Sequence, residues 1–262
     1  MPRPVALLCL ISVLGAVACT ESRQQRLAES AERKLASGSP TEGAELLRKV
    51  VALNPESKTG VRALYKLGFV LETSLRDFEG AVFNYNEFIR LSQDRVGIYE
   101  VLKRVANIYN DQARDPSKGI AAFRKLLDLS PESLEADSFQ YHIGQSYYRL
   151  NNFDQARIEH QTLISLYPKS QFASRARLEI GNTYYMEGKY DIAEEALKQV
   201  IRHHAQSEQA LEAQFLIGQC LEHQGKLRQA LQEYESVQGR YPSPQVLGMR
   251  IADVRKKLKQ QR

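Results

Sequence analysis

The residues able to carry chemistry in this chain are few and scattered. The histidines are His142, His160, His203, His204 and His223. No two of them have the helical spacing that lets both rings bind one metal ion, and no pair of cysteines supplies zinc ligands. A phosphate-binding loop, a dinucleotide fingerprint and a nucleophile elbow are also missing from the sequence. The sequence therefore predicts no catalytic residue, no metal site and no cofactor.

The N-terminus differs from the rest of the chain. Arg3 is followed by an apolar run over residues 5–17, which has the length of a signal-peptide core and is too short to span a membrane. Small residues then lead to Cys19 in the sequence AVAC. This end resembles the lipobox of bacterial lipoproteins, although Ala16 stands where leucine is usual. The resemblance implies that residues 1–19 are a signal peptide ending at a lipidated Cys19; an ordinary signal peptide cleaved nearby is the alternative.

The residue after Cys19 carries further information under this resemblance. In lipoproteins of Gram-negative bacteria, aspartate at this position favours retention at the inner membrane, and here the residue is Thr20. The resemblance therefore implies a lipid anchor in the outer membrane, with the body of the protein facing the periplasm. Ser22 and Gln25 have the spacing of a helix-capping pair. This spacing predicts that the first helix begins at about Arg23 and that the first repeat lies close to the membrane.

The predicted removal of the leader also decides which cysteines the mature chain keeps. Removal of the leader takes away Cys9, and acylation of Cys19 then leaves Cys220 alone. No intrachain disulfide can form in such a chain. We predict that Cys220 packs as a small apolar residue within a helix.

The rest of the chain repeats itself with a period of 37 or 38 residues. Small residues recur in the first part of each unit, at Ala31, Gly68, Ala106, Gly144, Gly181 and Gly218. They recur in the second part at Gly43, Ala81, Gly119, Ala156, Ala193 and Ala230. Large residues follow four positions later, at Leu47, Tyr85, Phe123, His160, Leu197 and Tyr234. Because two helices pack closely where a small residue on one meets a large residue on the other, these columns predict one helical hairpin in each unit.

This pattern resembles the tetratricopeptide repeat over roughly residues 24–243. The resemblance implies an all-α fold, a right-handed α-solenoid of about six helical hairpins that occupies residues 20–243. In such an array each hairpin packs only on its neighbours, which allows a chain of this length to fold without one central core.

Local signals mark the ends of the predicted helices. Asn151, Gly188 and Gly225 stand where a left-handed residue would end the first helix of a hairpin. Asp154 and Asp191 follow at positions where we expect them to cap the second helix. Units two and three each carry one extra residue, which we place in the internal turn.

Residues 244–262 continue beyond the repeats. Their apolar positions fit one face of a helix and are Val246, Leu247, Ile251, Val254 and Leu258. We predict that this basic helix caps the exposed end of the last repeat and that its charged face is solvated. Contact with an anionic lipid surface or an acidic partner is the alternative. The net charge of +5 lies partly here, and no reader motif accompanies it, which argues against nucleic-acid binding.

The resemblance also implies a working surface. In this repeat class the first helices line the concave face, where tyrosine offers apolar area with a polar tip and asparagine can bond an extended backbone. The candidate groove residues are Tyr65, Phe69, Lys103, Asn107, Asn110, Tyr141, Gln145, Tyr148, Leu178, Asn182, Tyr185, Phe215 and Gln219. The alternative is that several of these tyrosines pack between hairpins. Some members of the class clamp a terminal carboxylate; Lys103, Asn107 and Arg175 match that clamp, whereas His142 and Glu179 depart from it.

These observations predict a scaffold that binds proteins and not an enzyme. The resemblance implies other envelope proteins or extended peptide segments as partners, a membrane contact through the lipid anchor, no nucleic acid and no small-molecule substrate. In plan the chain is similar to the D-subunit lipoprotein of the β-barrel assembly machinery. The alternatives are a pilotin-like lipoprotein for secretin or type IV pilus assembly, and a coordinator of the Tol-Pal system or of peptidoglycan synthesis.

Overall fold

In the residues that the structure describes, the architecture consists of helices joined by short turns, with no strand. The structure is a computed structural model that describes the backbone of residues 5–112 and 115–260, and the side chains from residue 20 onward within those ranges. The α-helices within them are α1 (Val5–Ala36), α2 (Pro40–Leu53), α3 (Lys58–Val70), α4 (Phe78–Leu91), α5 (Arg95–Asn107), α6 (Pro116–Leu129), α7 (Ala136–Arg149), α8 (Phe153–Leu166), α9 (Ala173–Met186), α10 (Tyr190–His204), α11 (Glu208–His223), α12 (Leu227–Ser236) and α13 (Pro244–Gln260).

Within each compact unit of the chain, neighbouring helices pack in chain order. The chain divides into two compact units, residues 1–122 and residues 123–262. In the first unit α1 packs on α2, α2 on α3, α3 on α4 and α4 on α5. In the second unit the same succession runs from α7 to α13. This hairpin-on-hairpin order confirms the predicted fold class, an all-α solenoid.

The small and large columns meet inside the hairpins as predicted. A Cβ atom added to Gly68 would lie 2.6 Å from the ring of Tyr85, and one added to Gly144 would lie 2.6 Å from the ring of His160. Gly181 has the same relation to Leu197. The large residues of these pairs have no more than 1% of their surface exposed. Because glycine has no side chain, the second helix packs directly against the first helix in these three hairpins.

The turns inside the hairpins confirm one prediction and correct another. Asn151, Gly188 and Gly225 have the predicted left-handed backbone, with φ of 56°, 73° and 73°. The predicted caps are wrong, because the second helices begin at Phe153 and Tyr190, one residue before Asp154 and Asp191. The left-handed residue is followed at once by the cap position, and in α8 that position is filled by Asn152, which accepts a hydrogen bond from the Gln155 N–H at 3.2 Å. The two aspartates instead lie in the first turn, where a negative charge suits the helix dipole. Asp154 pairs there with Arg157.

The extra residue of the second and third repeats lies in the helix and not in the turn. Residues 71–75 and 108–112 form π-helical turns that extend α3 and α5. In these units the N–H groups of Asp77 and Asp115 donate to the carbonyls six residues before them, whereas the N–H of Asn152 donates to the carbonyl only five residues before it. The wider turn takes up one residue, and in the second repeat the hairpin turn keeps a left-handed residue, Arg76 with φ of 56°.

The start of the first helix differs from the prediction. Helix α1 runs without a break from Val5 through Ser22, so Ser22 is not a helix cap and the helix does not begin at Arg23. Since the preceding residues are helical, the N–H groups near Ser22 already have partners within the helix. Gln24 is 1% exposed, and its amide donates to the carbonyls of Val50 and Asn54 at 2.9 and 2.8 Å. This side chain therefore fixes α1 against the end of α2.

The predicted leader falls largely outside the described side chains. Residues 1–4 and the side chain of Cys19 lie outside the part that the structure describes. Within the described ranges, no helix combines the length and the apolar character needed to cross a membrane.

The predicted C-terminal helix is present as α13, which packs on α12. It buries Leu247, Ile251 and Val254 in the core of the second unit, while Val246 stays 43% exposed. These three buried positions lie three and four residues apart and so share one face of the helix. Helix α13 therefore covers the apolar end of the last hairpin.

Candidate functional site

The first helices of the second unit, α7, α9 and α11, share a polar face. The Asn182 amide on α9 lies 3.3 Å from the hydroxyl of Tyr148 on α7. One turn further along α9, Tyr185 lies 3.3 Å from the Nε2 atom of His223 on α11. These bonds join side chains 34 and 38 residues apart in sequence, about one repeat. The predicted residues Tyr148, Asn182 and Tyr185 are thus brought together on one surface, which we call the first-helix face, and each remains partly exposed.

Two further predicted residues lie on the same helices, and three are buried. Gln145 and Gln219 are partly exposed. Tyr141, Leu178 and Phe215 have only 8%, 2% and 6% of their surface exposed, so they offer little to a partner. These three residues stand three positions before the glycine of their unit and pack inward.

Aromatic rings cover two of these buried positions, Tyr141 and Phe215. Tyr141 stacks on Phe172 with ring centroids 4.9 Å apart, and Phe215 stacks on Tyr241 at 4.7 Å. Burial raises the pKa of Tyr141 to about 12, and its hydroxyl accepts a hydrogen bond from Gln145 at 2.7 Å. Packing between hairpins is therefore the role of Tyr141, as the alternative reading of the sequence allowed.

One arginine in the first turn of α9 holds two carboxylates. Arg175 donates to Glu179 at 3.1 Å and to Glu212 on α11 at 3.2 Å. Burial raises the pKa of Glu212 above its usual value; Arg175 opposes that rise and Glu179 adds to it. Because Arg175 is already bound by two carboxylates, this pairing disfavours a carboxylate clamp at that residue.

The first unit has a cleft of its own. It has a volume of about 560 Å³ and lies between α1 and α3, with Tyr65 and Phe69 among its lining residues. The two rings stack with centroids 6.5 Å apart, and the guanidinium of Arg104 lies 4.8 Å from the centroid of Phe69. These two predicted residues therefore do form an accessible aromatic surface.

The other predicted residues of the first unit lie on α5 and the π-helical turn after it. Asn107 is exposed and Lys103 is partly exposed, with its amino group 3.8 Å from Glu100. Asn110 is only 5% exposed and contributes little surface.

Sequence reasoning missed two buried pairs of tyrosine and glutamate. The hydroxyl of Tyr85 donates to Glu72 at 2.6 Å, and that of Tyr234 donates to Glu222 at 2.7 Å. Burial, together with the bonded carboxylate, raises the pKa of each tyrosine far above its usual value. Each glutamate stands four residues after its unit's glycine, and only units with tyrosine in the large column have it. The joint occurrence of this glutamate and this tyrosine in the same repeats could have predicted the hydrogen bond from the sequence.

The described residues hold neither a metal-binding cluster nor a reactive cysteine. Among the described residues, no group of three or more histidine, cysteine, aspartate or glutamate side chains could hold a metal ion. Cys220 is fully buried, and burial raises its pKa to about 12, so the thiol stays protonated at neutral pH.

This geometry defines the class as a repeat protein of stacked helical hairpins with a polar face on its first helices. Within that class, residues 138–170 and 178–243 each match a family model described as tetratricopeptide repeat. The chain therefore carries tetratricopeptide repeats in its second unit, and the repeat predicted from the columns is confirmed there.

Solved structures agree with this class. The chain is similar to a tetratricopeptide repeat protein from Parabacteroides merdae, with 20% identity, a TM-score of 0.51, and coverage of 90% of this chain and 92% of that one. It is similar to PilW, described as a widely conserved type IV pilus biogenesis factor, with 13% identity, a TM-score of 0.52, and coverage of 86% and 97%. It is also similar to the MamA protein, with 21% identity, a TM-score of 0.51, and coverage of 67% and 88%. At these identities the likeness shows the fold, and no curated protein sequence matches the chain.

His160 has the most perturbed histidine environment in the described chain. Its ring is fully buried against Gly144, and neither ring nitrogen has a hydrogen-bond partner among the described residues. Burial lowers its pKa to about 4, with Glu159 opposing the shift. As predicted from its column, His160 is a packing residue, and its burial favours the neutral form of the ring.

Stability should therefore fall in acid because of His160. The unfolded chain gains a proton on this ring near pH 6.5, whereas the folded chain gains it only near pH 4. The stabilisation is complete above pH 6.5 and is lost as the pH falls to 4, by about 3 kcal/mol. His160→Leu, which introduces the residue that the fifth unit has in this column, should remove that part of the pH dependence. Urea unfolding at pH 7.5 and pH 4.5 measures it.

The exposed His203 provides the control, because His203→Leu should unfold with the pH dependence of the unmodified chain. If His160→Leu loses as much stability between the two pH values as the unmodified chain does, the buried neutral ring is not the cause.

Proposed function

We propose that this chain is a lipid-anchored scaffold that binds other proteins of the bacterial envelope on its first-helix face. The observation that carries the proposal is the shared surface of α7, α9 and α11, where tyrosine, asparagine and histidine side chains meet across successive repeats. Tetratricopeptide repeats in the same residues support it.

The chemistry of this face suits an extended polypeptide. Tyr148 and Tyr185 present partly exposed rings with polar tips, and the Asn182 amide lies between them. An amide can both donate to and accept from a peptide backbone, and a tyrosine contributes contact area at low entropic cost. The first helices are held in register by the hairpin packing beneath them, so these groups recur along the face at the spacing of the repeat.

The location we propose rests on the leader. Cys19 ends an apolar run and is followed by Thr20, which favours transfer to the outer membrane over retention at the inner one. Lipid chains on one cysteine would hold the body at the periplasmic face, since two or more chains give stable anchoring.

The pathway has two leading candidates. Assembly of outer-membrane β-barrels is the first, from the similarity in plan to the lipoprotein subunit of that machinery. Assembly of a secretin or type IV pilus is the second. It is supported by the fold similarity to PilW, which extends over 97% of that protein. A coordinator of the Tol-Pal system or of peptidoglycan synthesis would use the same face with a different partner.

Photo-crosslinking in cells of the native host tests the binding face. p-Benzoylphenylalanine in place of Tyr148 should crosslink to an envelope protein, because that side chain would touch the partner directly. Mass spectrometry of the product then identifies the pathway, a barrel subunit for the first candidate and a secretin or pilus protein for the second. The matched control is the same probe at Ile192, which is 50% exposed on the second helix α10. Equal capture from both positions, or none from Tyr148, contradicts the proposed face.

Substitution of the predicted lipid site tests the location. A Cys19→Ala chain should lose its anchor and fractionate with soluble or unprocessed protein, because no acyl chain can be attached. The Cys220→Ala variant should remain in the outer-membrane fraction, since that buried thiol has no part in anchoring. A Cys19→Ala chain that matures and still sediments with the outer membrane rules out the lipid anchor.

A further inference from the structure

A small polar cleft lies at the end of the first-helix face, beside the C-terminal helix. Its volume is about 130 Å³. It is lined by Tyr185 of α9, by Gln219, Glu222 and His223 of α11, and by Arg250 and Lys257 of α13. The cleft therefore lies where the covering helix meets the last of the first helices, next to Tyr185, which the proposed function places against a partner.

Of the two cationic side chains at this cleft, Lys257 is paired with a carboxylate and Arg250 is not. Lys257 donates to Glu222 at 3.1 Å, and the same carboxylate accepts the hydroxyl hydrogen bond of Tyr234, so Glu222 is fully engaged. Arg250 forms no ion pair or hydrogen bond with any described residue, and its side chain is exposed. With Lys257 neutralised by Glu222, the guanidinium of Arg250 is an uncompensated positive charge at the cleft.

The walls of the cleft are fixed by ring contacts. The His223 ring stacks on Tyr190 with centroids 4.5 Å apart and planes 5° from parallel. Its Nε2 atom lies 3.3 Å from the Tyr185 hydroxyl, so these two polar groups satisfy each other. The Gln219 amide and the Arg250 guanidinium are left as the donors that a ligand would meet.

We propose that this cleft binds a carboxylate of the polypeptide that lies on the first-helix face. A guanidinium binds a carboxylate through two parallel hydrogen bonds, and the amide N–H of Gln219 adds a third donor. The cleft is small, about 130 Å³, and a carboxylate at the end of a chain or of a short side chain can enter it. The carboxylate is either the C-terminus of the partner or a glutamate or aspartate side chain. This inference rests on the proposed function, because it names the chemistry that the partner brings to that face.

Three short peptides test the inference on the full-length protein in detergent solution. Acetyl-tetraglycine supplies a C-terminal carboxylate, acetyl-Gly-Gly-Glu-Gly amide supplies a side-chain carboxylate, and acetyl-tetraglycine amide supplies none. NMR spectra follow the side-chain N–H signals of Arg250 and Gln219 during titration. At least one acid should give saturable shifts of these signals with an affinity about tenfold or more above that of the amide, as a charge-assisted bond requires. The stronger of the two acids identifies the source of the carboxylate.

A matched pair of variants separates a site from general attraction. Arg250→Gln should weaken binding of the favoured acid by about tenfold. Lys256→Gln removes the same charge from an exposed position on the same helix and should leave the affinity unchanged. Equal shifts with the amide, or equal weakening by both variants, overturns the inference. Crosslinking from Tyr148 that persists alongside such a result would confine the failure to the cleft and leave the proposed function standing.

Discussion

The close approach of two helices at a glycine or alanine is the contact on which this structure depends. In four hairpins a glycine on one helix faces a large side chain on the other, as Gly68 faces Tyr85 and Gly181 faces Leu197. The large side chain is removed from water almost completely, which contributes the apolar burial that a single hairpin could not otherwise obtain. Because the contact recurs every 37 or 38 residues, each hairpin also presents a similar surface for its neighbour to pack on.

The character of the first-helix face follows from that packing. With the glycine side of α9 turned toward α10, the side chains one turn away reach toward α7 and α11. These positions carry polar groups that bond across repeats, as Asn182 does with Tyr148 and Arg175 with Glu212. The side chains of this face are therefore already ordered before any partner arrives. Binding a partner would cost little conformational entropy there. The covering helix α13 extends the face with two cations, one of which, Lys257, is neutralised by Glu222.

The sequence allowed the hairpins and their turns to be predicted because single residue types control them. A glycine or asparagine that can take a left-handed backbone marked the turn at residues 151, 188 and 225 without any tertiary information. The π-helical turns could not be located in the same way, since an extra residue can be taken up either by a wider helical turn or by a longer loop. The caps at Asp154 and Asp191 were misplaced because the turn is one residue shorter than the capping pattern assumed.

The face itself was only partly predictable, and Tyr141 shows why. Its position three residues before the glycine places it at the edge of the helix, where exposure depends on what the next unit supplies. Phe172 covers it, and Tyr241 covers Phe215 in the same way. Tyr141 and Phe215 are therefore buried in the core. Tyr148 and Tyr185 lie four residues after the glycine and stay partly exposed. Contacts between units decide this difference, and a single-sequence pattern does not contain them.

The free energy of unfolding of two glycine variants tests the central contact most directly. Alanine at Gly218 would place its Cβ 2.8 Å from Cδ1 of the buried Tyr234 ring and closer still to Cε1, whereas alanine at Gly248 in α13 meets no atom within 4 Å. Both changes raise helix propensity by up to about 1 kcal/mol. Guanidinium unfolding should therefore show Gly248→Ala stabilised by up to that amount and Gly218→Ala destabilised by about 1–3 kcal/mol. If both variants are stabilised alike, the small-on-large contact does not hold the hairpins together.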